Sequence, residues 1–297
     1  MTSGYLTQQI VNGLTLGSMY ALVAIGFSMI YGIVRLINFA HGDIVMVGAF
    51  ATLGLVLAGV PWPIIAVAVL AVGALAGTTV ELVAFRPMRG APQVTGFIAS
   101  LAVSIVIQNL GILILTAQPR NFHFPALMHQ RLALGPATVA VIDLLIVATT
   151  LALMAGLALL VRTTKLGMAM RATAENLPVA RLMGINVGRV IGAAFAIGSA
   201  LAAIAGLMWG GKYGQIDPLL GFLPGRKAFV AAVIGGVGSI PGAMLGGYLL
   251  GLAEVLFVGL LPPAYAAYRD AFVFGTLILV LLVLPNGLLG SADEDRA

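Results

Sequence analysis

Long apolar runs separated by short polar breaks set the pattern of this chain. They cover about Ile10–Ile33, Ile44–Leu57, Ile64–Ala84, Thr95–Thr116, Ala137–Val161, Ile191–Trp209, Ala228–Leu261 and Ala271–Leu284. Each exceeds the roughly 4–8 residues of a buried strand and predicts a helix. Most approach the roughly 20 residues that cross a bilayer. The run Ala228–Leu261 is interrupted by Gly235-Gly236-Val237-Gly238-Ser239-Ile240-Pro241-Gly242, which predicts a short descending helix followed by a full ascending one. The expected fold class is all-α: a polytopic integral membrane helical bundle of about eight transmembrane segments, with Gly-rich broken helices, forming one transmembrane domain over 1–297.

The polar breaks fall into types. Val60-Pro61-Trp62-Pro63 predicts a tight turn with an interfacial Trp, and a loop holding Pro119, Arg120, Asn121, His123, His129 and Arg131 follows the fourth run. The longest polar stretch is Arg162–Arg189, a Gly/Pro-rich loop spans Gly210–Gly225, and Asp293, Glu294 and Asp295 make an acidic tail.

Composition fits the membrane reading. Hydrophobic residues make up 61% and charged residues 8%, with a mean hydropathy of +1.10. A soluble domain carries roughly 25% charge, so the apolar excess must face lipid. The net charge of +5 lies between apolar runs and does not signal nucleic acid. Basic residues concentrate on the cytoplasmic side of membrane proteins, so Arg162, Lys165, Arg171, Arg181 and Arg189 place the 162–189 loop in the cytoplasm. Alternation then puts Arg86 and Arg89 inside, the N-terminus outside and the C-terminus inside. Lys212, Arg226 and Lys227 fall at the outer face and oppose this orientation. The first 34 residues hold no Lys or Arg, and a secretory signal peptide needs a basic start. The first run is therefore expected to be retained as a span.

With no cysteine and only His41, His123 and His129 at non-ligating spacings, the sequence offers no metal site and no catalytic constellation. Gly206-x-x-x-x-Gly211-Lys212 matches the start of a phosphate loop, but Tyr213 stands where Ser or Thr must hold magnesium, and the segment ends a span. No nucleotide engine is expected in this chain. Gly13-x-x-x-Gly17, Gly242-x-x-x-Gly246 and Gly247-x-x-x-Gly251 predict close helix packing, unless they are chance products of 38 glycines.

Three features are candidates for function. Asn176 can cap a short helix, Pro178 fits its first turn and Gly184 can close it. Leu177, Ala180, Met183 and Gly184 would lie on one face, for docking on a partner or for lying on the bilayer surface. The break Asn38–Asp43 (NFAHGD) puts Asn38, His41 and Asp43 in apolar surroundings. Either they line a translocation route, or Asp43 caps the next helix at the cytoplasmic surface beside Arg35. The Gly235–Gly242 break lines a path or makes a tight turn. Among single polar residues, Glu81 is expected to reach Arg86, Asp143 to lie near the outer interface, and Gln108 and Asn109 to bond a neighbouring helix; Glu254 is a candidate for the path.

Ala180-x-x-x-Gly184 resembles the end of the Glu-Ala-Ala-x-x-x-Gly coupling loop of ABC-importer permeases, with Pro178 and Val179 replacing the Glu and first Ala. NGLTLGSMYALVAIGFSMIYGIVRLINFAHGDIVMVGAF (12–50), FRPMRGAP (85–92), MRATAENLPVARLMGIN (170–186) and AAVIGGVGSIPGAMLGGYLLGLAE (231–254) resemble the branched-chain amino-acid permeases of ABC importers, LivH type, across essentially the whole chain.

The resemblance implies a permease subunit for branched-chain or related amino acids in the bacterial inner membrane, pairing with a second, homologous permease. Two ATP-binding subunits would dock on the cytoplasmic loops and bind the ATP, this chain needing no cofactor, and a periplasmic binding protein would deliver substrate. It makes Glu175, Asn176, Pro178, Ala180, Arg181 and Gly184 the ATPase-coupling set. Asn38, His41, Asp43, Gly235, Gly236, Gly238 and Glu254 are the expected pathway set. The alternative is an ion-coupled secondary transporter or channel, which calls for more acidic residues within spans.

Overall fold

The structure is a computed structural model and describes residues 3–121, 124–135 and 137–290; His123 and the acidic tail Asp293, Glu294 and Asp295 lie outside the described residues. The chain forms the helical bundle the apolar runs predict. In order come α1 (Ser3–Val34), α2 (Ala40–Leu57), α3 (Trp62–Val80), α4 (Gln93–Leu115), α5 (Val141–Thr163), α6 (Lys165–Glu175), α7 (Leu177–Leu182), α8 (Val187–Tyr213), α9 (Phe222–Gly235), α10 (Ile240–Leu260) and α11 (Arg269–Val283). Eight helical segments of the described residues are long and apolar enough to span a membrane; α6, α7 and α9 are the shorter helices between them.

Short strands close one end. β1 (Arg120–Asn121) pairs antiparallel with β4 (Gln215–Ile216), and β2 (Arg131–Leu134) with β3 (Ala137–Ala140) in a hairpin. The apolar run beginning at Ala137 therefore starts as a strand and becomes helical only at Val141. Period-2 burial at Ala137 and Val139 is what separates the two. His129 is exposed in the turn before this hairpin.

The opposite end carries Arg35, Arg86, Arg89, Arg162, Lys165, Arg171, Arg181 and Arg189, and is called the basic end. Two of the three cations that opposed the orientation by sequence, Arg226 and Lys227, are not in a loop: they sit in α9. Lys212 pairs with Asp143, and Lys227 with Glu254 and Asp270. The positive charge of the loops is thus concentrated at one end.

Glycine determines how closely the helices approach, as lipid gives them no hydrophobic drive to associate. A Cβ at Gly251 would come within 2.3 Å of the Gly17 Cα, and one at Gly247 within 2.4 Å of the Ala21 Cα. The Gly13/Gly17 and Gly247/Gly251 pairs therefore face each other along α1 and α10. Gly242 and Gly246 pack on Gly235 and Ala231 of α9. Gly206, from the phosphate-loop look-alike, lies mid-helix against the Val45 carbonyl of α2.

The packing repeats in inverted order. α1 runs antiparallel along α10, as α8 runs along α3; α2 crosses α8, and α9 packs on α1. Gly26 of α1 and Gly198 of α8 meet where the two halves join, each in contact with the other's carbonyl. In both halves a long helix is followed by a turn back into the bundle and a helix that starts inside it.

Candidate translocation site

The first of these inner starts belongs to α2. α1 ends at Val34, and Arg35, in left-handed backbone (φ 56°), reverses the chain. Residues 35–39 then climb back between helices. Phe39 stacks edge-on against Phe97, and Asp43 accepts a hydrogen bond from Gln108 Nε2 at 2.9 Å, well along α4 from its Gln93 start. His41 packs against Gly26, eight residues short of the α1 end, which is ~12 Å at 1.5 Å per residue. The Asn38–Asp43 break therefore climbs from beside Phe97, near the start of α4, to mid-depth at His41 and Asp43, and does not lie at the cytoplasmic surface. Asp43 does not cap α2 either: the helix begins at Ala40, its N-cap is Phe39, and no side chain caps it. Local sequence makes Asp43 a fair cap; the helix begins earlier because Ala40–Asp43 is buried by neighbouring helices.

The second inner start belongs to α9, which enters from the opposite end. Its N-cap, Gly221, also lacks a side-chain cap. The two starts meet backbone to backbone: a Cβ on Gly221 would come within 2.1 Å of the Gly42 carbonyl oxygen, and one on Gly42 within 2.7 Å of the Gly225 Cα. Only glycine permits that crossing. It brings two helix N-termini, each with unsatisfied N–H groups and a partial positive charge, to the same depth.

Beside the crossing is a cavity of about 270 Å³. Its polar lining is Asn38, Asp43, Ser104 and Arg226; Phe27, Phe39 and Phe229 supply apolar walls. Asn38 and Asp43 are buried, 3% and 2% exposed. Asn38 Oδ1, Asp43 Oδ2 and Arg226 Nε have no hydrogen-bond partner. Buried polar atoms are almost always paired, so three orphans around one cavity mark a site built for something else. The Arg226 guanidinium stacks 3.9 Å over the Phe222 ring. His41 is set apart: it contacts the Val23 carbonyl at 3.2 Å through Nε2, which must donate, and it does not border the cavity.

Other expected pathway residues are elsewhere. Gly235, Gly236 and Gly238 form a turn at the basic end, with Gly236 and Gly238 in left-handed or related backbone (φ 107° and 90°) and Gly236 against Gly290. Gly238 borders a second cavity of about 560 Å³, together with Arg35, Arg171 and Glu175. Glu254 belongs to a buried ion network: it accepts from Lys227 Nζ at 2.7 Å, Tyr20 Oη at 3.0 Å and Arg269 Nε at 3.1 Å. It does not border the cavity at Asn38 and Asp43. Glu81 pairs with Arg89 rather than Arg86, and a π-helical turn spans Glu81–Phe85 between them. Asn109 bonds the Ile105 carbonyl of its own helix.

At the basic end, α7 has the predicted caps. Asn176 accepts from the Val179 N–H at 3.0 Å. Gly184 (φ 80°) closes the helix, with Gly184 N–H donating to the Arg181 carbonyl and Ile185 N–H to the Ala180 carbonyl, a Schellman ending. The face presented differs from the expected one. Ala180 is buried at 3% and Leu177 is half-buried, whereas Val179, Leu182 and Met183 are exposed, Leu182 by 86%. Pro178 and Arg181 border them, and Glu175 and Asn176 begin the same surface.

Comparison with known proteins places this architecture. The family described as "Branched-chain amino acid transport system / permease component" matches residues 9–281. The chain is 40% identical over 306 aligned residues to the high-affinity branched-chain amino acid transport system permease protein LivH of Escherichia coli (strain K12), covering 98% of both chains. It is 42% identical to the BraD permease protein of Pseudomonas aeruginosa, covering 97% of both. Identity to a probable LivH of Methanocaldococcus jannaschii is 30%, over 92% of this chain and 89% of that one. The chain belongs to this permease family. No solved structure matches it.

In this permease, Arg226 is the residue that sequence reasoning misses. It reads as an outer-loop charge, because the Gly210–Gly225 stretch before it reads as loop. A signal is present: Gly42-Asp43 and Gly225-Arg226 are Gly–charge pairs at the breaks of the two halves, the pattern that points to a transporter's central site.

Proposed function

We propose that this chain is the membrane-spanning subunit of an ATP-driven importer of branched-chain amino acids in the bacterial inner membrane. The observation that carries this reading is the end-to-end match with branched-chain amino acid permease proteins. Its route passes the mid-depth break at Asn38 and Asp43, between the starts of α2 and α9. The exposed apolar face of α7, Val179, Leu182 and Met183, docks on an ATP-binding subunit, which binds the nucleotide. A second homologous permease, two ATP-binding subunits and a periplasmic binding protein complete the assembly.

Purification of the subunit in mild detergent, followed by identification of co-purifying chains, tests the assembly. Uptake of labelled leucine, isoleucine and valine in cells carrying or lacking the gene tests the substrate class. ATP-binding subunits and a second permease, with gene-dependent uptake, are expected. A stable homo-oligomer without ATP-binding partners, with no difference in uptake, overturns the reading.

A further inference from the structure

Three observations meet at the α2–α9 crossing. Asp43 and Asn38 offer unpartnered oxygens to one cavity, and Arg226 offers an unpartnered guanidinium N–H to the same cavity. Among the described residues, neither Asp43 nor Arg226 forms an ion pair. The fold elsewhere neutralises its buried charges, as at Lys227 and Glu254. Asp43 is thus left without a counter-charge at the cavity wall, and the half-buried Arg226, whose charge also acts on the Asp270 carboxylate, lines the same cavity with its Nε unpartnered.

We infer that this cavity is a low-affinity resting site for an α-amino-acid zwitterion crossing the membrane, with Asp43 and Asn38 receiving the ammonium group and Arg226 the carboxylate. The uncapped N-termini of α2 and α9 add N–H groups and partial positive charge for the carboxylate. A guanidinium suits a carboxylate geometrically, since its fork matches both oxygens. Gln108 orients the Asp43 carboxylate, holding Oδ1 and leaving Oδ2 free for the ligand. Phe27, Phe39 and Phe229 receive an apolar side chain. At about 270 Å³, the cavity lies just below the roughly 300 Å³ at which drug-sized ligand pockets start. It suits one small molecule and not a peptide. This inference rests on the proposed importer reading for the identity of the traveller, but the site is testable without transport.

The test is binding of labelled L-leucine to the full chain, purified with whatever subunits accompany it and placed in lipid nanodiscs. Competitors are 3-methylbutylamine, which lacks the carboxylate, and 4-methylpentanoate, which lacks the ammonium group. The variants are Asp43→Asn and Arg226→Gln, each checked for an unchanged melting temperature; Asp43→Ser and Arg226→Met replace any that fail this check. Saturable leucine binding is expected, weakened at least about tenfold by either variant, a typical cost of losing one charged partner. Neither competitor should match leucine. Absence of saturable binding, or variants and competitors that make no difference, overturns the site. If leucine binds as expected while uptake and ATP-binding partners are absent, the site stands and the importer reading fails. If uptake proceeds with unchanged KM in both variants, the importer reading stands and the site fails.

Discussion

Gly42 and Gly225 lie in contact through their backbones, each in the first turn of a helix that starts inside the bundle. A Cβ placed on Gly42 would sit 2.7 Å from the Gly225 Cα, and one placed on Gly225 would sit 2.5 Å from the Gly42 Cα. No side chain on either helix can yield to relieve that overlap, because backbone meets backbone. Gly225→Val should force the two starts apart and lose leucine uptake, with a stability loss of about 1–3 kcal/mol, the usual cost of overpacking. Uptake assays on membranes matched for protein level check this; normal uptake by Gly225→Val would show that the crossing is not needed.

The Lys227–Glu254 pair is a buried ion pair at 2.7 Å, and its expected effect is on stability. Removing one partner of a buried pair leaves the other charge uncompensated, at about 3–5 kcal/mol, whereas replacing both is often nearly neutral. Glu254→Gln or Lys227→Met should lower the melting temperature in detergent. The double variant should recover much of the loss, because Arg269 and Asp270 remain to partner each other at 3.7 Å. Fluorescence-detected melting of the three variants decides it; a Glu254→Gln protein that melts normally but fails in uptake would move Glu254 back into the path.

Side chains of α7 should separate coupling from folding. Leu182 is 86% exposed and Ala180 is 3% exposed. Leu182→Glu should leave insertion and melting unchanged, yet reduce leucine-stimulated ATP hydrolysis and uptake by about an order of magnitude, the scale of one interface hot spot of roughly 2 kcal/mol. Ala180→Glu should instead destabilise the loop by burying a charge. Asn176→Ala should cost about 1 kcal/mol through the lost cap. ATPase assays on the purified complex, paired with melting curves, distinguish these outcomes.

The legible part of this molecule is local. Apolar run length marks the spans, the Asn176 and Gly184 caps mark α7, and the Gly13/Gly17 and Gly247/Gly251 spacings mark a close helix contact that the structure contains. What cannot be read depends on contacts distant in sequence. Hydropathy shows that Asn38–Asp43 breaks a run but not how deep the break lies; depth follows from Gln108 on α4 and Gly26 on α1. The buried side of Ala180 follows from how α7 rests on its neighbours. Arg226 and Lys227 are adjacent in sequence and look alike. Lys227 finds Glu254 and Asp270, while Arg226 borders the cavity, and nothing in the local pattern tells them apart.

If the Asn38–Asp43 break faces a water-accessible route at mid-membrane, a thiol placed there must meet water. The natural chain has no cysteine, so Asn38→Cys gives a single reporter. The decisive measurement is labelling of that thiol with a membrane-impermeant, water-soluble reagent, with and without turnover. Labelling during ATP-driven transport, slowed by excess leucine, is the expected result. Complete protection of the thiol in every state, in a variant that still transports, would contradict a route through this break.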